Sequence, residues 1–249
     1  MSRIVLTAAS RVGCVRTNNE DMVLAYNRFI RSDAYCTEFD TGNTDRFVIA
    51  VADGMGGHNA GEVASETTLS NLKFFLSDLP RNLQPDDFHR MLQQWLASIN
   101  QIIDSRGRVD SSMREMGTTL VALIYYATRV YTVNCGDSRL YRLRDGKLRQ
   151  MTTDHSLNNM IGQKKHSNVI TNCIGAGCKN SYIDFDDITD DFLAGDRYLL
   201  CSDGLNDMVA DDIIERLLGE GVTANHLCEE AINAGGFDNV SACVLEVKS

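Results

Sequence analysis

Residues 47–52, Phe47-Val48-Ile49-Ala50-Val51-Ala52, form an almost unbroken apolar run. Such a run predicts a buried strand. It stops at Asp53-Gly54-Met55-Gly56-Gly57, a turn that glycine makes easy because it lacks a Cβ. Residues 61–79 then predict a helix, with Leu69, Leu72, Leu76 and Leu79 along one side. A second helix follows behind Pro85-Asp86-Asp87, a suitable first turn. Its apolar positions Phe88, Met91/Leu92, Trp95/Leu96, Ile99 and Ile102/Ile103 recur at helical spacing and predict a packing surface, not a cofactor site. From Gly117 the pattern changes to short β-rich runs at 118–126, 129–135, 138–144 and 147–152. Asp145-Gly146 between the last two reads as a hairpin turn. After an irregular stretch at 154–180 come strands near 181–187 and 197–202, helices near 211–218 and 223–233, and a last strand at 240–247.

Strands, two helices, strands, two helices and a final strand do not fit a wound βαβ sheet. Hairpin-joined strands with segregated helices predict an α+β fold, antiparallel sheets covered by helix pairs. With 249 residues, 43% of them hydrophobic, only two prolines and no repeat or low-complexity break, residues 1–249 read as one domain.

The net charge is −10. That excess keeps a protein soluble and repels both nucleic-acid phosphates and anionic lipid, so neither is an expected partner. It also suits a cluster of carboxylates that holds cations. Residues 1–13 lack the apolar core of a secretion signal, and the longest apolar run, 120–127, is far too short to span a bilayer. A cytoplasmic protein is expected. Eight cysteines without a Cys-x-x-Cys pair then read as reduced core residues. None has arginine six positions on, so the phosphate loop of cysteine-dependent phosphatases is absent.

Chemistry gathers at strand ends. The run ending at Ala52 leads into Asp53-Gly54, the strand ending at Ser202 into Asp203-Gly204, and the strand ending at Cys135 into Gly136-Asp137. Asp238 stands just before the final strand. Asp-Gly is a common turn pair, and Asp145-Gly146 needs no further role. Several carboxylates at sheet ends repel one another unless a cation lies between them, and hard ions such as Mg²⁺ or Mn²⁺ prefer oxygen ligands. Near the N-terminus, Arg16 precedes the adjacent acids Glu20 and Asp21. Its guanidinium can grip phosphate oxygens with two parallel hydrogen bonds.

These motifs, from Arg16, Glu20-Asp21 and Asp53-Gly54-Met55-Gly56-Gly57 through Gly117-Thr118-Thr119, Gly136-Asp137-Ser138-Arg139 and Ser202-Asp203-Gly204-Leu205 to Asp238-Asn239, occur together in order. The set resembles the metal-dependent PPM family, the protein phosphatase 2C-like enzymes of bacterial type. The resemblance implies a β-sandwich between helix pairs, in four layers, with two tightly held Mn²⁺ or Mg²⁺ ions at one end and a third held more weakly. Asp53 would bridge the two ions, and the Gly54 carbonyl would bind the second. Asp203 and Asp238 would hold the first, Glu20 and Asp21 would serve the second, and Asp137 the third. Arg16 would bind phosphate. The implied reaction is hydrolysis of phosphoserine and phosphothreonine in proteins by a metal-bridging water, without a phosphoenzyme.

Met55 stands where animal-type members carry a histidine able to act as general acid. Protonation of the leaving group would therefore come from water or another group. Residues 155–180 correspond to the family's flap and are short here. Lys164, Lys165 and His166, the densest cationic cluster in the chain, are the expected contact for acidic residues around a phosphorylated side chain. The expected partners are phosphoproteins made by a Ser/Thr kinase, met by a monomer. Two rival readings are a two-metal phosphodiesterase or nuclease and a silent phosphoprotein-binding module. Neither Gly54-Met55-Gly56 nor Gly175-Ala176-Gly177 completes a dinucleotide-binding glycine motif.

Overall fold

Alternation decides the architecture. In the strand Arg46–Ala52 nearly every residue is buried. Val48, Ala50 and Ala52 pack against helices, whereas Phe47, Ile49 and Val51 point into the space between two sheets. A strand covered on both faces needs no polar alternation, hence the continuous apolar run. The neighbouring strand Leu120–Tyr126 repeats the division, with Leu120, Ala122 and Ile124 toward the helices and Val121 and Leu123 toward the other sheet.

The computed structural model describes residues 2–56, 60–162 and 169–249. One six-stranded antiparallel sheet runs in the order Asp184–Asp187, Arg129–Cys135, Leu120–Tyr126, Arg46–Ala52, Met22–Ala25, Arg28–Ile30. The other runs Lys147–Gln150, Arg139–Arg144, Arg197–Cys201, Val240–Lys248, Arg3–Arg11, Ala34–Asp40. Helices Gly61–Asp78 and Pro85–Val109 cover the first sheet, and Asp211–Glu220 and Ala224–Asn233 cover the second. The expected four-layer α+β sandwich is the observed one. Phe88 fixes the helix layer on the first sheet, its ring 4.8 Å from that of Tyr126 and 4.7 Å from that of Tyr131. Fully burying that side chain contributes about 2–3 kcal/mol.

Three departures from the sequence reading have physical causes. Strands Arg3–Arg11, Arg28–Ile30 and Ala34–Asp40 were not anticipated. In Arg3–Arg11 the buried face is carried by Ile4, Leu6 and the small Ala8, too few large residues to stand out. Ala34–Asp40 is a polar edge strand with no fully buried residue. The run at 118–126 is broken at Thr119. Gly117–Thr118 peels away to pair with both Gly54–Met55 and Ile174–Gly175 in a small third sheet. The cysteines are free, but only Cys135, Cys173, Cys201, Cys228 and Cys243 are buried, and Cys14 and Cys36 are exposed.

Asp145 and Gly146 both have positive φ, 51° and 72°, in a two-residue turn that pairs Arg144 with Lys147. The hairpin reading holds. Lys164, Lys165, His166, Gly57 and His58 lie outside the described residues. Among the described residues, no helix is long and apolar enough to cross a membrane.

Candidate metal and phosphate site

Antiparallel pairing brings the acid-bearing ends of both sheets to one edge. Met22 pairs with Ala52, and Leu120 with Cys135, which sets Asp21, Asp53 and Asp137 beside one another. In the facing sheet, Cys201 pairs with Ala242 and Arg11 with Val240, which brings Asp203 and Asp238 to the same edge. A cleft of about 710 Å³ opens there, lined by Arg16, Glu20, Asp53, Gly54, Asp203 and Asp238. Residues within 169–178, including Thr171, Cys173 and Cys178, also line it. Asp21 and Asp137 are buried, and the charges of both act on Asp53 in its lining.

Asp53 is held by its backbone. Its N–H donates to Thr119 Oγ1 at 3.0 Å, and its carbonyl accepts from the Thr119 N–H at 2.9 Å and from Thr118 Oγ1 at 2.8 Å. The broken strand therefore grips the turn from the side. Thr119 Oγ1 in turn lies 2.7 Å from Ser138 Oγ, beside Asp137. Gly54 has no room for a side chain, since a Cβ there would come within 2.6 Å of the Glu20 carbonyl. Glu20 sits at the start of the helix Gly61–Asp78, where free N–H groups favour an anion. Ser65 Oγ, one turn in, donates to its carbonyl at 2.6 Å.

Asp21 is fully buried, and a serine chain reaches it. The Ser241 N–H donates to Ser202 Oγ at 3.0 Å, and Ser202 Oγ donates to Asp21 Oδ2 at 2.7 Å. Asp21 Oδ1 is buried and finds no hydrogen-bond donor. Asn239 ties the N-terminal loop down. Its Oδ1 accepts from the Glu20 N–H at 2.8 Å, and its Nδ2 donates to the carbonyls of Val12 at 3.0 Å and Asn18 at 2.9 Å. Arg16 Nη2 donates to Asp238 Oδ2 at 2.7 Å, with both side chains well exposed. That hydrogen bond is the main reason the Arg16 pKa is raised.

The acids oppose one another's ionisation. Burial raises the Asp53 pKa well above the usual carboxylate range, and the charges of Asp21, Asp203 and Asp137 raise it further. Asp21 is pushed up to about 7 by burial, against the help of Ser202 and Ser241, with Asp203 and Asp238 adding repulsion. Asp137 is also pushed up to about 7, by burial and then by Asp203. Among the described residues, no three His, Cys, Asp or Glu side chains converge into a finished ligand shell. The donor set still fits a hard cation. All its donors are oxygens, several are held short of full ionisation by one another, and the bare Asp21 Oδ1 leaves a lone pair for an ion to take.

The cleft thus gathers Arg16, Glu20, Asp53, Gly54, Asp203 and Asp238, with Asp21 and Asp137 packed against it. Missing from the sequence reading were the supporting roles of Ser202, Ser241, Asn239, Thr118 and Thr119. Polar residues abutting strand-end acids were the available signal, and several stood within the quoted motifs. His155 is a structural pillar. Its Nδ1 accepts from the Gly136 N–H at 3.0 Å, which leaves Nε2 to donate to Asp184 at 2.9 Å.

The sequence profile described as Protein phosphatase 2C matches residues 27–229. Serine/threonine protein phosphatase PstP of Mycobacterium tuberculosis is 34% identical over 99% of this chain and 46% of its own length. The chain thus spans about half the length of that relative. Serine/threonine phosphatase stp of Listeria monocytogenes is 32% identical over 80% of this chain and 84% of its own. Among solved structures, the catalytic domain of PstP in complex with two manganese ions superposes with a TM-score of 0.76 at 32% identity, covering 99% of this chain and 100% of that one. A family profile matched over residues 27–229, and relatives 34% and 32% identical along most of the chain, lead to one assignment: the chain belongs to the protein phosphatase 2C family.

Proposed function

We propose that this chain hydrolyses phosphoserine and phosphothreonine monoesters in proteins with the help of bound Mn²⁺ or Mg²⁺. The observation that carries the reading is the meeting of one arginine and five carboxylates, Glu20, Asp21, Asp53, Asp203 and Asp238, at a single cleft between two sheets. The names of the PstP and stp relatives, and the two manganese ions in the PstP structure, support it.

Asp53 would stand between the two tightly held ions, with the Gly54 carbonyl on the second. Asp203 and Asp238 would hold the first. Glu20 and Asp21 would serve the second, and Asp137 a third and weaker one. When bound, the ions supply an activated water nucleophile and neutralise charge on the phosphoryl group. Several carboxylates at one edge would repel a substrate dianion, a repulsion that bound cations would offset.

Arg16 does the orienting. It holds Asp238 through one nitrogen, and its exposed guanidinium stays within reach of a phosphate at the cleft mouth. The cleft is open and about 710 Å³, room for a phosphorylated side chain presented on a peptide. Among the described residues lining it there is no histidine. Water admitted by the open mouth would be one proton source for the leaving alkoxide. Eight free thiols support action in a reducing compartment such as the cytoplasm.

The test is hydrolysis of one phosphothreonine peptide with and without Mn²⁺, beside a cyclic-nucleotide and a single-stranded DNA substrate. Metal-dependent release of phosphate from the peptide alone is expected. Cleavage of the diesters instead would replace this reading with a phosphodiesterase, and no turnover at all would leave a binding module.

A further inference from the structure

Two cysteines, Cys173 and Cys178, line the same cleft as the acids. The chain between them doubles back. After the short strand Ile174–Gly175 it turns at Ala176 and Gly177, both at positive φ, and the Cys178 N–H donates to the Gly175 carbonyl at 2.9 Å. One hydroxyl spans the two ends of the turn: Ser181 Oγ lies 2.5 Å from the Cys173 carbonyl and 3.1 Å from the Cys178 carbonyl. The return of the chain brings both thiols to the same stretch of cleft wall. Cys173 is 7% exposed, and Cys178 is half-buried.

We propose that Cys173 and Cys178 form a peroxide-sensitive dithiol whose disulfide deforms the cleft wall and lowers activity. The more accessible Cys178 thiolate attacks one oxygen of a hydroperoxide. The O–O bond breaks, one oxygen stays on sulfur as a sulfenic acid, and the other leaves as water or alcohol after taking a proton. The Cys173 sulfur then attacks the Cys178 sulfur, and the sulfenic oxygen leaves as a second water. Two thiols are oxidised, and one peroxide is reduced. Burial, and then the nearby Cys178, pushes the Cys173 thiol up to about 12, which suits it to the resolving role and not to first attack.

The route to the metal site is short. Ile174 pairs with Thr118, whose hydroxyl holds the Asp53 carbonyl at 2.8 Å, and Thr118 pairs on its other side with Gly54. A bond that tightens the 173–178 turn strains this small sheet, and with it the Asp53 turn. Only this last consequence rests on the catalytic reading. The disulfide itself does not.

The experiment exposes the reduced full chain to graded hydrogen peroxide and blocks remaining thiols with an alkylating agent. It follows the tryptic peptide 166–179, which holds both cysteines, by mass. That peptide is expected to lose two hydrogens and resist alkylation before Cys14 and Cys36 react, and dithiothreitol should reverse both changes. Phosphopeptide hydrolysis should be lost and regained in step. Cys173→Ser should stop at a sulfenic acid trapped by dimedone, and Cys178→Ser should keep its activity in peroxide. Alkylation of both cysteines at peroxide levels that oxidise Cys14 or Cys36 overturns the proposal. So does a cross-link to the buried Cys135, which lies on a different peptide, and so does a disulfide that leaves hydrolysis unchanged. A reduced protein without any hydrolysis would count against the catalytic reading, while the mass change still decides whether the dithiol exists.

Discussion

Ser202 Oγ donates a 2.7 Å hydrogen bond to Asp21 Oδ2, although 181 residues separate the two in sequence. The contact joins the two sheets at their acid-bearing edge, because Asp21 immediately precedes a strand of one and Ser202 immediately follows a strand of the other. It aims one Asp21 oxygen and leaves the second, Oδ1, free of donors. Ser202→Ala is therefore expected to weaken manganese binding by about tenfold or more, the usual cost of losing a group that orients a ligand. Calorimetric titration with Mn²⁺ measures it. Unchanged affinity would mean that Asp21 takes no part in holding an ion.

How much of this was legible beforehand follows from what each residue does. Strand-end acids announce themselves, because a charged residue directly after an apolar run has no packing reason to be there. Asp53, Asp137 and Asp203 were readable on that ground alone. Asp238, just before the last strand, and the adjacent pair Glu20-Asp21 behind Arg16 were noticed as candidates too. Each stands in a polar loop where a carboxylate is ordinary, and only the family resemblance gave them particular roles. Ser202 and Asn239 act through single hydrogen bonds across long sequence separation, and no local pattern encodes such pairs. Arg3–Arg11 and the edge strand Ala34–Asp40 were overlooked for a different reason. Small alanines on one strand and polar residues on the other hide a period of two.

Asp53→Asn keeps the size of the side chain and removes its charge. The three backbone hydrogen bonds around residue 53 do not involve the carboxylate, so the turn should survive. Turnover is expected to fall at least about a hundredfold, roughly 3 kcal/mol of barrier lowering. Near-normal turnover at saturating Mn²⁺ would remove Asp53 from the centre of the site.

Asp137 sits beside the main cluster and not in the cleft lining. Asp137→Ala should leave the tightest manganese-binding event intact while depressing turnover. Loss of that event in a calorimetric titration would place Asp137 in the main centre.

Gly136 has φ 129°, and a Cβ there would come within 2.6 Å of Thr119 Cβ. Thr119 is the residue that grips Asp53 from both backbone sides. Gly136→Ala should therefore cost about 1–3 kcal/mol of stability through strain. It should also reduce kcat, since Thr119 must move. A melting temperature equal to that of the unaltered chain would show that the backbone relaxes without cost.

Protonation gives the metal-free chain an unusual pH dependence. Asp21 and Asp137 have folded-state values pushed up to about 7, against an ordinary value of 3.8. A carboxyl with a raised folded pKa binds more protons folded than unfolded. Its contribution to stability is thus complete below about pH 4 and is lost as pH rises toward and through about 7. After chelation, the melting temperature should therefore fall as pH goes from about 5 to about 8. Saturating Mn²⁺ should reverse the trend, because ion binding requires the deprotonated acids and so grows with pH. Thermal melts at several pH values, with chelator and with Mn²⁺, give the two slopes directly. A metal-free protein that gains stability over this range would mean that the strand-end carboxylates do not repel one another as their placement implies.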